Sequence, residues 1–355
     1  VNKAKARRTG GGLVGGLSWL VSLAIFGVGA LLLAAIMAIV LIGAPGPSQE
    51  ARTIVIERGA SASSITRQLQ GEKLIENDLL FRAAALLYAG DGGLKAGEYE
   101  IPAGASIKQI VDLLASGRAK QYSITIPEGY SVAQVMDLLE AAPNLTGPLP
   151  ETPPEGTLLP DTYSFARGAS RSDIMQKMAA AHAAVMAEIW PKRVAGLPFD
   201  TPAQAVTLAS IVEKETGKPE ERRVVAGLYI NRLRRGMRLE ADPTIIYGVT
   251  KGRPLGRQIR RSEIDAGPPQ NPWNTYRISG LPPSPIANPG RLSLEAVLNP
   301  EPTEYLFMVA DGTGGHLFAR TGDEHARNHA AWREIRARKV AEEKAAAAAR
   351  SAGAP

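Results

Sequence analysis

Apolar residues fill positions 13–43 without one charged side chain. At 1.5 Å of helix per residue, such a run exceeds the roughly 20 residues that cross a bilayer. The pattern predicts a membrane-spanning helix over 13–43, preceded by a basic stretch over 1–12. A cleaved signal peptide would carry a shorter apolar core and a small-residue cleavage site. The APGPSQ run at 44–49 opens a Pro/Gly/Ser linker over 44–51 that is expected to release the chain from the membrane.

Beyond it the pattern turns to short strands and helical spacing. IERGASASSITRQL (56–69), IPAGASIKQIVDLL (101–114) and IPEGYSVAQVMDLL (126–139) share one arrangement of apolar, Gly, Ser and helix-spaced apolar positions. Each predicts a strand ending at a turn glycine (Gly59, Gly104, Gly129), a serine N-cap (Ser61, Ser106, Ser131) and an amphipathic helix. Units this small cannot bury their apolar faces alone, so they are expected to pack on one another as a small α+β module.

Residues 143–160 are rich in Pro, Gly and Glu and read as a loop or hinge, and helical patterns return at 171–190 and 201–216. The turn-rich stretch 236–302 suggests strands and long loops of the kind that line a cleft. A strand at 305–310 leads into a DGTGG turn, and an Ala-, Arg-, Lys- and Glu-rich helix over 325–350 frays into a disordered tail over 341–355.

Composition narrows the function. The 355-residue chain has no cysteine, which excludes disulfides, thiolate metal sites and a cysteine nucleophile. Its net charge of +6 is modest, and Lys3, Lys5, Arg7 and Arg8 sit directly before the apolar run. That placement orients a membrane helix with the N-terminus in the cytoplasm and argues against nucleic acid as a partner. In a bacterium the remainder would face the periplasm or cell-wall space.

The segment TPAQAVTLASIVEKETG (201–217) has Pro202 in its first helical turn and Gly217 at its stop. At about 100° per residue, Leu208, Ile211, Val212 and Glu215 share one face, whereas Glu213 lies roughly 160° from Glu215, among solvent-facing positions. A carboxyl at the end of a buried face is desolvated, and the helix C-terminus pushes its pKa the same way, which suits a general acid. The competing reading pairs Glu215 with a nearby arginine such as Arg222, Arg223 or Arg232.

LASIVEKETG, followed by NRL (231–233), GMRLEADPTIIYG (236–248), WNTYRISGLPPSPIANPG (273–290) and FMVADGTGGHLFARTGDEH (307–325), resembles the YceG-like family of endolytic murein transglycosylases. The resemblance runs from the anchor through the LLPDTY segment (158–163) almost to the end of the chain. It implies an α+β fold with a LysM-like domain over 52–122 and a mixed α/β catalytic domain with a glycan-binding cleft over 123–340. It places the catalytic glutamate at Glu215, and Asp242, Thr244, Tyr247, Asn274, Tyr276 and His316 along the groove. Two departures stand out: Trp273 occupies a position where a tyrosine is expected, and Ala326 one where an asparagine is common.

The family's chemistry needs one carboxyl, because the substrate's own C6 hydroxyl is the nucleophile and a 1,6-anhydro end results. A hydrolase would need a second carboxylate, for which Asp242, Glu240, Asp265 and Asp161 stand as candidates. The resemblance further implies peptidoglycan strands as substrate, synthases of the penicillin-binding type as partners, and no cofactor. No metal is expected, because His325 and His329, though four apart, lack the other ligands of a known zinc pattern. DGTGG lacks the lysine of a phosphate loop, and the basic stretch 333–344, broken by glutamates, reads as a solvated helix face. The rival from another class is a non-catalytic wall-binding scaffold.

Overall fold

The computed structural model describes residues 12–352, so the basic stretch over 1–12 lies almost wholly outside the described residues, as do the last three residues of the tail. It opens on α1 (Gly12–Gly43), within which Val21–Gly43 is long and apolar enough to cross a membrane, with a mean hydropathy of 2.9. The chain divides into two compact units: one reaches Tyr122 and includes Ala166–Gly168, and the other holds Ser123–Phe165 and everything from Ala169.

In the first unit β1 (Arg52–Ile56), α2 (Ala62–Gly71), α3 (Asp78–Tyr88), β2 (Gly97–Ile101) and α4 (Ile107–Ser116) follow one another. β1 and β2 pair antiparallel with Arg52 opposite Ile101 and Ile56 opposite Gly97. Their inner face closes on the helices through Ile54, Leu69, Phe81, Tyr99, Ile110 and Leu114. Each such side chain contributes about 1.5–3 kcal/mol on burial. Ile42, near the end of α1, belongs to the same core.

The expected free linker is therefore not free. Gly46 N–H donates to Gly104 O (3.1 Å) and Gly104 N–H to Ser48 O (2.6 Å). A Cβ on Gly46 would stand 2.3 Å from Ala105 O. Pro and Gly here serve a close backbone approach rather than slack.

All three glycine turns adopt the left-handed backbone, with φ of +82°, +65° and +75° at Gly59, Gly104 and Gly129. The three serines cap their helices, and Ser106 and Ser131 complete capping boxes with Gln109 and Gln134. The third repeat, β3 (Gln121–Thr125) with α5 (Val132–Ala141), departs from the expected common packing. β3 pairs not with β1 or β2 but with β5 (Thr162–Ala166), which follows the two-residue β4 (Leu145–Thr146). Periodicity decides which face a strand buries but not which strand becomes its neighbour.

The second unit continues through β6 (Ala169–Ser170), parallel to β4, and α6 (Arg171–Ile189), which ends in a 3-10 turn at Trp190–Lys192. Then come α7 (Pro202–Glu215), α8 (Arg222–Arg234), α9 (Asp242–Thr250), the short α10 (Arg261–Asp265) and α11 (Arg291–Leu298). β7 (Phe307–Ala310) and β8 (His316–Ala319) form an antiparallel hairpin whose turn is held by Asp311 Oδ1, accepting from Thr313 N (2.6 Å) and Gly315 N (3.0 Å). α12 (Gly322–Ala352) closes the chain. Its alanine-rich end keeps helical backbone as far as Ala352, in line with the high helix propensity of alanine, and the last three residues of the expected tail lie outside the described residues.

The strands expected within 236–302 are absent among the described residues; α9, α10, α11 and loops stand there. Buried polar side chains replace the ladder. Asn271, Asn274, Thr275 and Asn288 are almost wholly enclosed, and each bonds main-chain groups of neighbouring helices or loops.

α7 lies at the centre of this unit, buried continuously from Ala205 to Val212 and packed against α8 and α11. Thr201 caps it, with Gln204 returning the bond.

Candidate active site

α7 is buried on every side from Ala205 to Val212, and its two glutamates stand just beyond that stretch, each partly covered, with exposed Lys214 between them. Glu213 corrects the sequence expectation: its side chain is only 4% exposed, not solvent-facing. Its carboxylate accepts from Arg222 Nη2 (3.2 Å) and Gly290 N (2.9 Å), and the same Arg222 nitrogen reaches Glu128 Oε2 (2.9 Å). Periodicity supplied the angle between the two glutamates correctly. It could not reveal that α8 and the 288–290 loop cover the other side.

Glu215 has no arginine partner among the described residues, because Arg222, Arg223 and Arg232 are all engaged elsewhere. Arg232 donates to Leu306 O (2.6 Å), Leu239 O (2.9 Å) and Glu240 Oε2 (3.0 Å). Glu215 Oε1 accepts from the Tyr229 hydroxyl at 3.0 Å. Burial pushes the Glu215 carboxyl up to about 7, the Tyr229 bond opposes that rise, and the negative charge of Asp242 adds to it. Burial also pushes the Tyr229 hydroxyl well up, so it remains a donor across the physiological range.

Glu215 opens onto a polar cavity of about 350 Å³ lined by α7, α8, the start of α9, Tyr276 and the β7–β8 hairpin. Of the six groove residues expected, Asp242, Tyr276 and His316 line it. Tyr276 donates its hydroxyl to Asp242 Oδ1 (2.8 Å). His316 takes both oxygens of Glu221, through its backbone N–H (3.0 Å) and Nδ1 (2.8 Å). Burial pushes the Glu221 carboxyl up, but the His316 bonds and the Thr216 hydroxyl (3.2 Å) outweigh it and hold the group below its usual value. A carboxylate there only accepts, so Nδ1 carries the hydrogen and Nε2 is left to the cavity.

The other three expected groove residues stand elsewhere. Thr244 is fully buried and bonds Ala241 O (2.6 Å) and Thr275 Oγ1 (2.9 Å). Asn274 is fully buried and donates to Ile264 O (2.9 Å) and Ala266 O (2.6 Å), holding the loop after α10. Tyr247 lines a neighbouring cavity of about 260 Å³ with Lys214 and Pro243, and gives its hydroxyl to Glu155 Oε2 (3.2 Å). A polar residue in a motif does not reveal which way its side chain turns. Trp273 lies away from Glu215 as well, donating to Ser284 Oγ (2.9 Å) under the Lys251 ammonium.

Tyr229, Arg232 and His325 line the cavity without having been singled out for it. The signal for Tyr229 was its place inside the apolar run VVAGLYI, since a buried phenol needs an acceptor. His325, expected as a solvent-exposed helix residue, instead stacks on Phe307 at 5.2 Å between ring centroids. Among candidates for a second carboxylate, Asp242 and Glu240 share the cavity with Glu215. Asp265 is engaged by Arg261 and Arg277, and Asp161 by Thr162 N (2.7 Å). Among the described residues no group of three or more His, Asp or Glu side chains is placed to hold a metal ion.

A carboxyl raised by burial to about 7 over an open polar cavity has the character that general acid–base catalysis requires. The family follows from comparison: the YceG-like family model matches residues 54–331, and the chain belongs to that family. An endolytic murein transglycosylase of Bacillus subtilis (strain 168) is 30% identical over 306 residues, covering 77% of this chain and 82% of that protein. One from Streptococcus pneumoniae serotype 2 is 33% identical over 182 residues, 49% of this chain and 31% of that longer protein. A solved YceG-like protein from Listeria monocytogenes aligns with a TM-score of 0.49 at 28% identity, over 79% of this chain and 99% of that one.

Proposed function

We propose that this protein is a peptidoglycan lytic transglycosylase, a lyase that cuts glycan strands internally, with Glu215 as its acid and base. The observation that carries the reading is the Glu215 carboxyl at the end of α7, bonded by the Tyr229 hydroxyl and opening onto a polar cavity of about 350 Å³, where burial raises it to about 7. The relatives named endolytic murein transglycosylases supply the substrate class.

In this reaction protonated Glu215 gives its hydrogen to the glycosidic oxygen between N-acetylmuramic acid and N-acetylglucosamine. Positive charge grows on the ring beside Asp242, whose carboxylate is held by Tyr276. The Tyr229 hydroxyl steadies Glu215 Oε1 once the carboxylate has formed. Glu215 then takes the proton of the C6 hydroxyl as that oxygen closes on C1, leaving a 1,6-anhydro end and consuming no water. His316, oriented by Glu221, offers Nε2 to a sugar hydroxyl or N-acetyl group.

The surrounding architecture is read the same way. The second unit's cavity is the glycan cleft, and the βααβ order of the first unit supports a LysM-like wall-binding module. α1 supports a single-pass anchor in the cytoplasmic membrane, with both units in the periplasm or wall space and the nascent strands of neighbouring synthases within reach. Cutting there would end strand elongation.

The test is mass spectrometry of purified glycan strands after incubation with the full chain in detergent, beside Glu215→Gln. Anhydro-ended fragments from the unaltered protein alone are expected. Reducing ends would instead make it a muramidase-type hydrolase working through Asp242 or Glu240, and uncut strands that remain bound would make it a scaffold.

A further inference from the structure

The first unit does not hang from its anchor on a loose tether. Ile42 is 2% exposed inside that unit's core, and Gly46 and Ser48 are bonded through Gly104. The end of α1 and the start of α3 meet: Leu41 and Ala44 line one small cavity with Asn77 and Leu80. Whatever surface α3 turns outward therefore continues from the exit of the spanning helix.

That surface is apolar. On its inner side α3 buries Phe81 and Ala84. On its outer side Leu79, Leu86 and Leu87 are 68%, 88% and 69% exposed. At about 100° per residue, Leu79, Ala83, Leu86 and Leu87 fall within one arc of roughly 100°. Arg82, which pairs with Asp78 at 3.6 Å, flanks the stripe. A helix apolar on both sides belongs either inside a protein or against lipid, and α3 has protein on one side only. The exposed surface of α1 from Val21 to Leu41 is apolar in the same way.

We propose that the outer face of α3 lies in the headgroup layer of the bilayer that α1 crosses, so that the first unit rests on the membrane through two elements. The occupant of the stripe is lipid because the stripe adjoins a surface already facing lipid. Its makeup, leucines flanked by one arginine, is that of a helix lying at an interface rather than crossing it. The inference rests on the reading of α1 as a spanning helix.

The chain's lack of cysteine makes the test direct. Single variants Leu86→Cys, Met37→Cys and Arg118→Cys of the full chain are labelled with an environment-sensitive fluorophore. They are then reconstituted into phosphatidylethanolamine–phosphatidylglycerol vesicles carrying doxyl lipids of graded depth. All three positions are exposed or lie on the anchor surface, so folding is spared. The expected result is quenching at 86 by shallow doxyl groups, roughly threefold above that at 118, with 37 quenched by deep ones.

Quenching at 37 with position 86 behaving like 118 overturns the proposal while leaving the anchor intact. A blue shift at 86 without doxyl quenching assigns the stripe to a protein partner or a second copy, and overturns it too. Absence of quenching at 37 removes the anchor reading and the proposal together.

Discussion

The second and third strand-turn-helix repeats are built by the same local rules and put to different uses. Both have a left-handed glycine, a serine cap and a glutamine that completes the capping box. In the second repeat the turn binds the exit of α1, through Gly104 and Ser48. In the third it binds the end of α7: Lys214 donates to Gly129 O (3.2 Å), Gly129 N–H to Asn288 O (3.0 Å), and Glu128 shares Arg222 with Glu213. Local code makes the element, and the residues beside the turn choose its partner. The lesson is that one repeat has become part of the seat of α1 and the other part of the seat of α7.

If that contrast is right, the strongest way to break it is Arg222→Met. It leaves Glu213 and Glu128 facing each other without their cation, and the loss should be about 3–5 kcal/mol by urea unfolding. An unchanged midpoint would mean the third repeat does not depend on that charge.

Next in size is the stability effect of Glu215 itself. The folded pKa of Glu215 is raised from 4.5 to about 7. The stability linked to its proton is therefore complete below 4.5 and lost as pH rises through 7. Glu215→Gln should be more stable than the unaltered protein by roughly 3 kcal/mol at pH 8 and nearly equal to it at pH 4. Parallel melting curves at the two pH values check this, and a gap independent of pH would contradict it.

The two caps sharpen the comparison further. Ser106→Ala and Ser131→Ala should each cost about 1 kcal/mol as caps. Ser131 also donates to Gly252 O (3.0 Å), beside the α9 that carries Asp242, so its variant should cost about 1 kcal/mol more and slow strand cleavage. Ser106→Ala should leave the cleavage rate alone; equal slowing by both would erase the distinction.

The smallest effect expected is a shift in a pH profile. Asp242→Asn removes a charge that raises the Glu215 carboxyl, so the alkaline limb of the rate profile should move to lower pH. A limb that stays in place would detach Asp242 from the acid.

The sequence carried the repeats well because a glycine turn, a serine cap and helical spacing are all local. Glu215 was legible for a related reason, standing at a helix stop on an apolar face. Glu213 was not, because a helix enclosed all round has no solvent side for periodicity to find. Thr244 and Asn274 looked like groove residues and became struts, since the irregular 236–302 segment needs buried side chains to satisfy its backbone. His325 and Tyr229 reach the cavity only through the packing of α12 and α8, which no spacing rule records.

The fastening at Gly46 has a mechanical consequence. The apolar span Val21–Gly43 is 23 residues, about 35 Å of helix against a hydrocarbon core of roughly 30 Å. A helix too long for its bilayer leans. With a flexible tether the lean would be absorbed at the exit, but here β1 and β2 are coupled to it like a lever to its axle. On the proposed reading of α1 as a spanning helix, bilayer thickness would set the pitch of the first unit, and a thinner membrane would turn it further from upright.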